Sequence, residues 1–195
     1  MTDFILREIT NCTQRQKKAV LDLRNQENVR KSMYTEHEIL MNEHLDWVER
    51  LQNDKRQIVF VVLMDNEVCG VVYLNAIDRL HLKSDWGFYL DVNARVGLGA
   101  VLEFNLINFV FDKLGLEKLN CEVIETNELV AKLHKKFGFV EEGLRRENII
   151  KNHKRIGVRF FGLTKSDWLK HKEEVMVRYE KAMKKFDLEI EYEPS

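Results

Sequence analysis

Between Trp86 and Leu114 the chain reads as an aromatic strand, Trp86-Gly87-Phe88-Tyr89-Leu90, then a glycine turn, Gly97-Leu98-Gly99-Ala100, then a long apolar helical pattern from Val101 to Leu114. A strand that passes through such a turn into a helix can bind phosphate. Glycine lets the backbone approach, and the first-turn N–H groups have no intrahelical partner. Two other loops of this kind are excluded by the residues. A dinucleotide-binding fingerprint needs a third glycine where Leu102 stands, and a P-loop needs Lys followed by Ser or Thr where the chain has Ala100-Val101. What remains is a pyrophosphate cradle without a kinase lysine.

The elements around this unit set the fold class. Phe4 to Ile9 alternates as a strand, and Thr13 to Leu23 carries Ala19, Val20 and Leu23 at helical spacing. Val29 to Met33 reads as a short helical turn. Thr35 is expected to cap a longer helix, with Glu38 three residues on completing a capping box. Ile58-Val59-Phe60-Val61-Val62-Leu63 is a buried strand, and Asp65-Asn66 turns it into Val68 to Leu74 as a hairpin. A third strand runs from near His81 to Leu90. After the apolar helix come a strand at Leu119 to Ile124, a helix at Asn127 to Phe137, and two strands, Phe139 to Ile149 and Ile156 to Leu163, joined at Asn152-His153-Lys154. This order implies an α+β fold with one mixed, mostly antiparallel sheet and helices on both faces.

The chain divides as 1–166 for this unit and 167–195 for a terminal helix, Asp167 to Phe186, with an alternating tail, Leu188 to Tyr192. The tail is expected at a sheet edge or against a second copy of the chain, as in a homodimer. The single proline is Pro194, so no Pro-rich linker intervenes.

At 195 residues, 45% of them hydrophobic, the chain can bury a sizeable core. Lys+Arg 31 against Asp+Glu 32 offers no global field for nucleic acid or an anionic membrane. The start lacks the basic and apolar regions of a signal peptide, and no apolar run reaches the length of a membrane span. Cys12, Cys69 and Cys121 are scattered, which reads as a reduced, cytoplasmic protein. The histidines form no metal-ligand spacing, so no metal is expected.

A second segment adds chemistry. Asn127 and His134 in Asn127-Glu-Leu-Val-Ala-Lys-Leu-His134 are seven apart, about two turns, and share a helix face. With the glycine loop and the element order, these residues resemble the GNAT superfamily of acetyl-CoA-dependent N-acetyltransferases over Phe4 to Lys165. The family's loop usually reads Arg/Gln-x-x-Gly-x-Gly/Ala; here Ala94 stands at the Arg/Gln position and Arg95 is displaced by one. The resemblance implies acetyl-CoA as co-substrate, held by Arg95, Val96, Gly97, Leu98, Gly99, Ala100 and Asn127. It also implies that the pantetheine arm pairs with the strand end at Leu90, Asp91 and Val92.

His134 fills the position where the family often carries the Tyr that protonates the departing thiolate, and histidine can donate near neutral pH. Asp85 sits where related enzymes keep an acidic group near the acceptor amine, which must lose a proton; Asp91, His81 and Glu122 are weaker candidate bases.

The front of the chain, with Arg24, Asn25, Met33, Thr35 and His44 ahead of Trp47, resembles the GNAT branch that acetylates the 4-amino group of a UDP-linked amino-dideoxy sugar in pseudaminic acid biosynthesis. Arg24 would clamp a diphosphate, Met33 and His44 would contact nucleotide or sugar, and Asn25 and Thr35 would bind the acceptor beside them. The alternative acceptors are N-termini of ribosomal proteins or other small amines. A non-catalytic acetyl-CoA-binding module is the second alternative.

Overall fold

The computed structural model describes residues 2–94 and 96–193. Eight strands form one sheet in the order β6-β7-β5-β4-β3-β2-β1-β8. They are β1 (Thr2–Glu8), β2 (Ile58–Met64), β3 (Glu67–Asp78), β4 (Lys83–Leu90), β5 (Lys118–Ile124), β6 (Val140–Lys151), β7 (Lys154–Thr164) and β8 (Phe186–Glu191). Only β1 with β8 and β4 with β5 run parallel; every other neighbour is antiparallel.

The central strand explains the layering. In β2 alternate residues point to opposite faces. Phe60 and Val62 enter one apolar cluster and Val59, Val61 and Leu63 enter another. The first cluster lies under α4 (Leu98–Asn108), α5 (Glu128–Lys136) and α6 (Lys165–Arg178). The second lies under α1 (Gln14–Arg24) and α3 (Met41–Leu51), with α2 (Glu27–Ser32) between them in sequence. An all-apolar run in a sheet needs a cover on both faces, and the helices supply it. Phe60 is fully buried, so truncating it to Ala would cost about 3–5 kcal/mol.

Local signals act as their chemistry dictates. Thr13 and Gln16 form the reciprocal capping box of α1. Asp65 and Asn66, at φ 53° and 63°, make the two-residue hairpin turn, and Asn152 and His153 repeat it at φ 48° and 61°. Two expectations are corrected. Thr35 caps nothing: the chain from Met33 to Leu40 is irregular, and the next helix begins at Met41. The Glu43 carboxylate reaches back to the Leu40 N–H at 2.7 Å, half of a capping box set five residues later than the sequence suggests. The terminal helix is interrupted at Tyr179, whose ring stacks on Phe137 at 5.2 Å. The short α7 (Glu180–Met183) then turns the chain so that β8 adds beside β1 at the sheet edge.

Candidate active site

A gap in the sheet organises the site. β4 and β5 pair only through Lys83–Lys118, Ser84–Leu119 and Asp85–Asn120. Beyond Asp85 the two strands separate, and β4 continues to Leu90 with no partner on that side. The Asp91 N–H donates to the Cys69 carbonyl at 2.9 Å. Antiparallel pairs alternate, so Asp91 and Tyr89 turn their backbone polar groups toward β3, while Phe88 and Leu90 turn theirs into the gap. An extended, amide-bearing chain can add there as a strand.

The gap ends at the start of α4. Gly97 adopts φ 96°, and the first intrahelical bond runs from Val101 N–H to the Gly97 carbonyl at 3.2 Å. The N–H groups of Leu98, Gly99 and Ala100 therefore lack helical partners and lie at the positive end of the helix dipole. A Cβ on Gly99 would stand 3.7 Å from both Leu90 Cδ1 and the Phe88 ring, so the helix start and the free strand edge adjoin. Glycine donors beside unpaired strand amides fit a pyrophosphate followed by a pantetheine arm.

Two cavities meet across the gap. One, about 250 Å³, is lined by Phe88, Leu90, Glu122, Asn127 and His134 among others. The other, about 370 Å³, lies on the face covered by α1 and α3 and is lined by Arg24, His37, His44 and Trp47 among others. Met33, Tyr73 and Tyr89 line both. Tyr73 lies across β4 because Gly87 has no side chain; a Cβ there would collide with the Tyr73 hydroxyl. Burial raises the Tyr73 pKa, and nearby Cys121 adds to the shift, so the phenol keeps its proton. The glycine inside an aromatic strand was the sequence signal for this residue, and motif reading passed over it.

His134 is buried in the first cavity's wall, with Trp86, Phe139 and Phe161 around its ring. Its Nδ1 is 2.8 Å from the carboxylate of Glu103, a fully buried residue of α4. Arg24 carries a buried Nη1 with no hydrogen-bond partner among the described residues. Burial lowers its pKa, while Tyr89 and Tyr73 pull the other way; a guanidinium remains a cation at neutral pH. His44, in the same cavity, likewise has a buried, unpartnered Nε2, and burial lowers its pKa.

Comparison with known proteins then decides the family. The model of the acetyltransferase (GNAT) domain matches residues 9–158. This chain belongs to the GNAT acetyltransferases. It is an acetyl-CoA-dependent N-acetyltransferase. Acetyltransferase PseH of Campylobacter jejuni subsp. jejuni serotype O:23/36 (strain 81-176) is 24% identical over 135 residues, 69% of this chain and 83% of the relative. The putative ribosomal N-acetyltransferase YdaF of Bacillus subtilis (strain 168) is 26% identical over 106 residues, 53% of this chain and 57% of the relative. Among solved structures, the Vibrio cholerae spermidine N-acetyltransferase in complex with CoA and spermine superposes with a TM-score of 0.78 at 21% identity, covering 85% of this chain and 98% of that one. That likeness is one of fold.

Within the GNAT frame several expected site residues fall elsewhere. Asp91 does not turn its N–H to the gap, and its carboxylate accepts from Gln26 Nε2 and the Asn93 N–H, each at 2.8 Å. Those bonds, the Gln26 one first, hold its pKa below the usual carboxylate value. Val92 and Val96 are exposed on the connection after β4, and Arg95 lies outside the described residues. Asn25 spends both ends of its amide on the Ile39 main chain, at 2.9 Å each, so it holds the irregular segment in place and lines neither cavity. Thr35 is exposed and lines neither cavity. Asp85 also lines neither; its Oδ1 accepts from Asn120 Nδ2 at 3.1 Å. Glu122 does line the gap, and the Tyr34 hydroxyl donates to it.

Asn127 caps α5 weakly, accepting from the Val130 N–H at 3.4 Å, while lining the gap. One further residue, outside the expected site set, buttresses the second cavity. Lys151, at the tip of the β6–β7 hairpin, donates to the carbonyls of Arg30, Lys31 and Met33 at 3.2, 2.7 and 2.5 Å, and pairs with Glu36 at 3.2 Å. It ties the hairpin to the segment that edges the second cavity. Cys121 lines the gap, but burial pushes its thiol well above the ordinary value, with Glu103 adding to the shift. A neutral thiol is a poor nucleophile, which disfavours transfer through an acetyl-cysteine. No cluster of His, Cys, Asp and Glu suited to a metal occurs among the described residues, and no helix there is long and apolar enough to cross a membrane.

Proposed function

We propose that this enzyme acetylates the amine of a nucleotide-linked amino sugar, with the 4-amino group of a UDP-linked amino-dideoxy sugar of pseudaminic acid biosynthesis as the acceptor. The observation that carries the reading is Arg24: a half-buried arginine whose buried Nη1 has no partner among the described residues, lining a cavity that joins the gap through Met33, Tyr73 and Tyr89. A half-buried cation with a spare donor suits a diphosphate. The likeness to a spermidine acetyltransferase is one of fold at 21% identity and does not carry over to its substrate. The front-segment resemblance and the relative named acetyltransferase PseH support the sugar-amine branch.

In this reading the Phe88 and Leu90 edge aligns the pantetheine arm, and the α4 N-terminus takes the pyrophosphate. Asn127 and His134 flank the arm from α5. Glu122, held by Tyr34, takes the proton that the amine loses, directly or through water; Asp85 acts only at longer range. His134 supplies a proton to the leaving sulfur. Holding amine and thioester together contributes much of the rate. The free thiols of Cys12, Cys69 and Cys121 accord with a reducing compartment such as the cytoplasm.

The test pairs a thermal shift with thiol release. UDP raises the melting temperature of the wild type and not of Arg24→Met, and the UDP-amino sugar releases thiol from acetyl-CoA faster than spermidine or ribosomal N-terminal peptides. An absent UDP response together with preferred turnover of a peptide or polyamine overturns the reading. Acetyl-CoA binding without thiol release from any amine indicates the non-catalytic module instead.

A further inference from the structure

Helix α4 packs Leu98, Ala100, Val101, Leu102, Phe104, Leu106 and Ile107 into the core, and Glu103 lies buried among them with no exposed surface. A carboxylate there is costly unless it is paired, and apolar residues often replace a buried ion pair with no loss of stability. Its presence is therefore poorly explained by packing. Among the described residues Glu103 has one side-chain partner: Oε1 lies 2.8 Å from His134 Nδ1, while Oε2 is buried without a partner there. With the carboxylate as acceptor, the proton lies on Nδ1 and Nε2 is the nitrogen available to the gap that His134 lines.

We infer that Glu103 is a positioning residue for His134, orienting the imidazole and stabilising the imidazolium that returns a proton to sulfur. The inference rests on the acid role proposed for His134. In that step the carbon–sulfur bond of the tetrahedral adduct breaks, its electron pair passes to sulfur, and the His134 Nε2 proton follows. The neutral ring keeps its Nδ1–H on Glu103 and regains the second proton from solvent. The amine's own proton leaves separately, through Glu122 or water. The carboxylate behind the ring thus has the geometry of the third member of a triad, one layer deeper than the group that meets the substrate.

The experiment uses the full chain with Glu103→Gln, Glu103→Met, His134→Gln and the doubles combining each Glu103 change with His134→Gln. Thiol release is measured with acetyl-CoA and the UDP-amino sugar. Glu103→Gln keeps the shape and removes the charge; Glu103→Met keeps an apolar core and provides a folded variant where Gln fails to fold. Both Glu103 variants should lower kcat at least about tenfold with either KM little changed. Neither double should be slower than His134→Gln, because both residues act in one step. Nitrogen-15 NMR of the histidine rings, with His134 assigned by its loss in His134→Gln, should show Nδ1 protonated in the wild type and the ring proton on Nε2 in Glu103→Met. Full kcat in the Glu103 variants beside a slowed His134→Gln overturns the role of Glu103 alone. Full kcat in His134→Gln overturns the acid reading, and this inference with it. An Nδ1 proton that persists in Glu103→Met also overturns the positioning role.

Discussion

Replacing Lys151 with Met tests how the second cavity, the proposed acceptor side, is held. The ammonium donates to three carbonyls, those of Arg30, Lys31 and Met33, and faces Glu36 at 3.2 Å, all while buried. Charged hydrogen bonds contribute about 1.5–3 kcal/mol each, a gross figure of roughly 5–9 kcal/mol. Two effects shrink it. Burying the ammonium costs several kcal/mol that the apolar Met does not incur. The freed carbonyls end α2 in a segment whose Lys31, Ser32 and Tyr34 are exposed, so water reaches them. A net loss of about 2–3 kcal/mol follows, which for a chain of this size lowers the melting temperature by roughly 4–12 °C.

Because Met33, His37 and Ile39 line the second cavity from this segment, the acceptor KM should rise while the acetyl-CoA KM holds. Thermal melts and two-substrate kinetics read both effects. An unmoved melting temperature, or donor and acceptor KM rising together, refutes the latch.

Three other perturbations are informative. Gly97→Ala forces a side chain onto φ 96° and sets its Cβ 3.0 Å from that of Ala182, so it should cost about 1–2 kcal/mol and raise the acetyl-CoA KM; an unchanged KM argues against the cradle. Burial keeps His44 neutral, its pKa below the usual 6.5, so the unfolded chain takes up that proton first as pH falls. Its contribution to stability is accordingly full above about pH 6.5 and declines below it; denaturant melts across pH should show a shallower acid-side loss in His44→Gln. Finally, Glu122→Gln should flatten the rise of rate with pH, whereas Asp85→Asn should leave most of it; the opposite pattern moves the base to Asp85.

Much of the scaffold was legible because its signals are local. Hairpin turns at Asp65-Asn66 and Asn152-His153, the Thr13–Gln16 cap and the unbroken apolar run of β2 each act through neighbouring residues. The glycine turn was legible for the same reason, since glycine admits the positive φ that Gly97 adopts at little steric cost. Capping was misread at Thr35 because Ser/Thr-x-x-Glu is common, and Glu43 could serve a later start without any capping side chain at Leu40. Asn25 was read as a contact to substrate, yet its amide mimics a strand partner for Ile39, which sequence spacing does not encode.

By itself the sequence determined the order of elements, the two-sided burial of the sheet and a glycine-rich helix start at a strand end. Periodicity and glycine conformation are properties of short windows. Which carboxylate faces the gap, which histidine has Glu103 behind it, and which lysine closes the acceptor segment were decided only in three dimensions. Those pairings join residues 31 apart for Glu103–His134 and 118 to 121 apart for Lys151 with its carbonyls. A charge is retained in such places because the surrounding apolar packing makes its one partner matter, and that packing exists only once the sheet has closed around it.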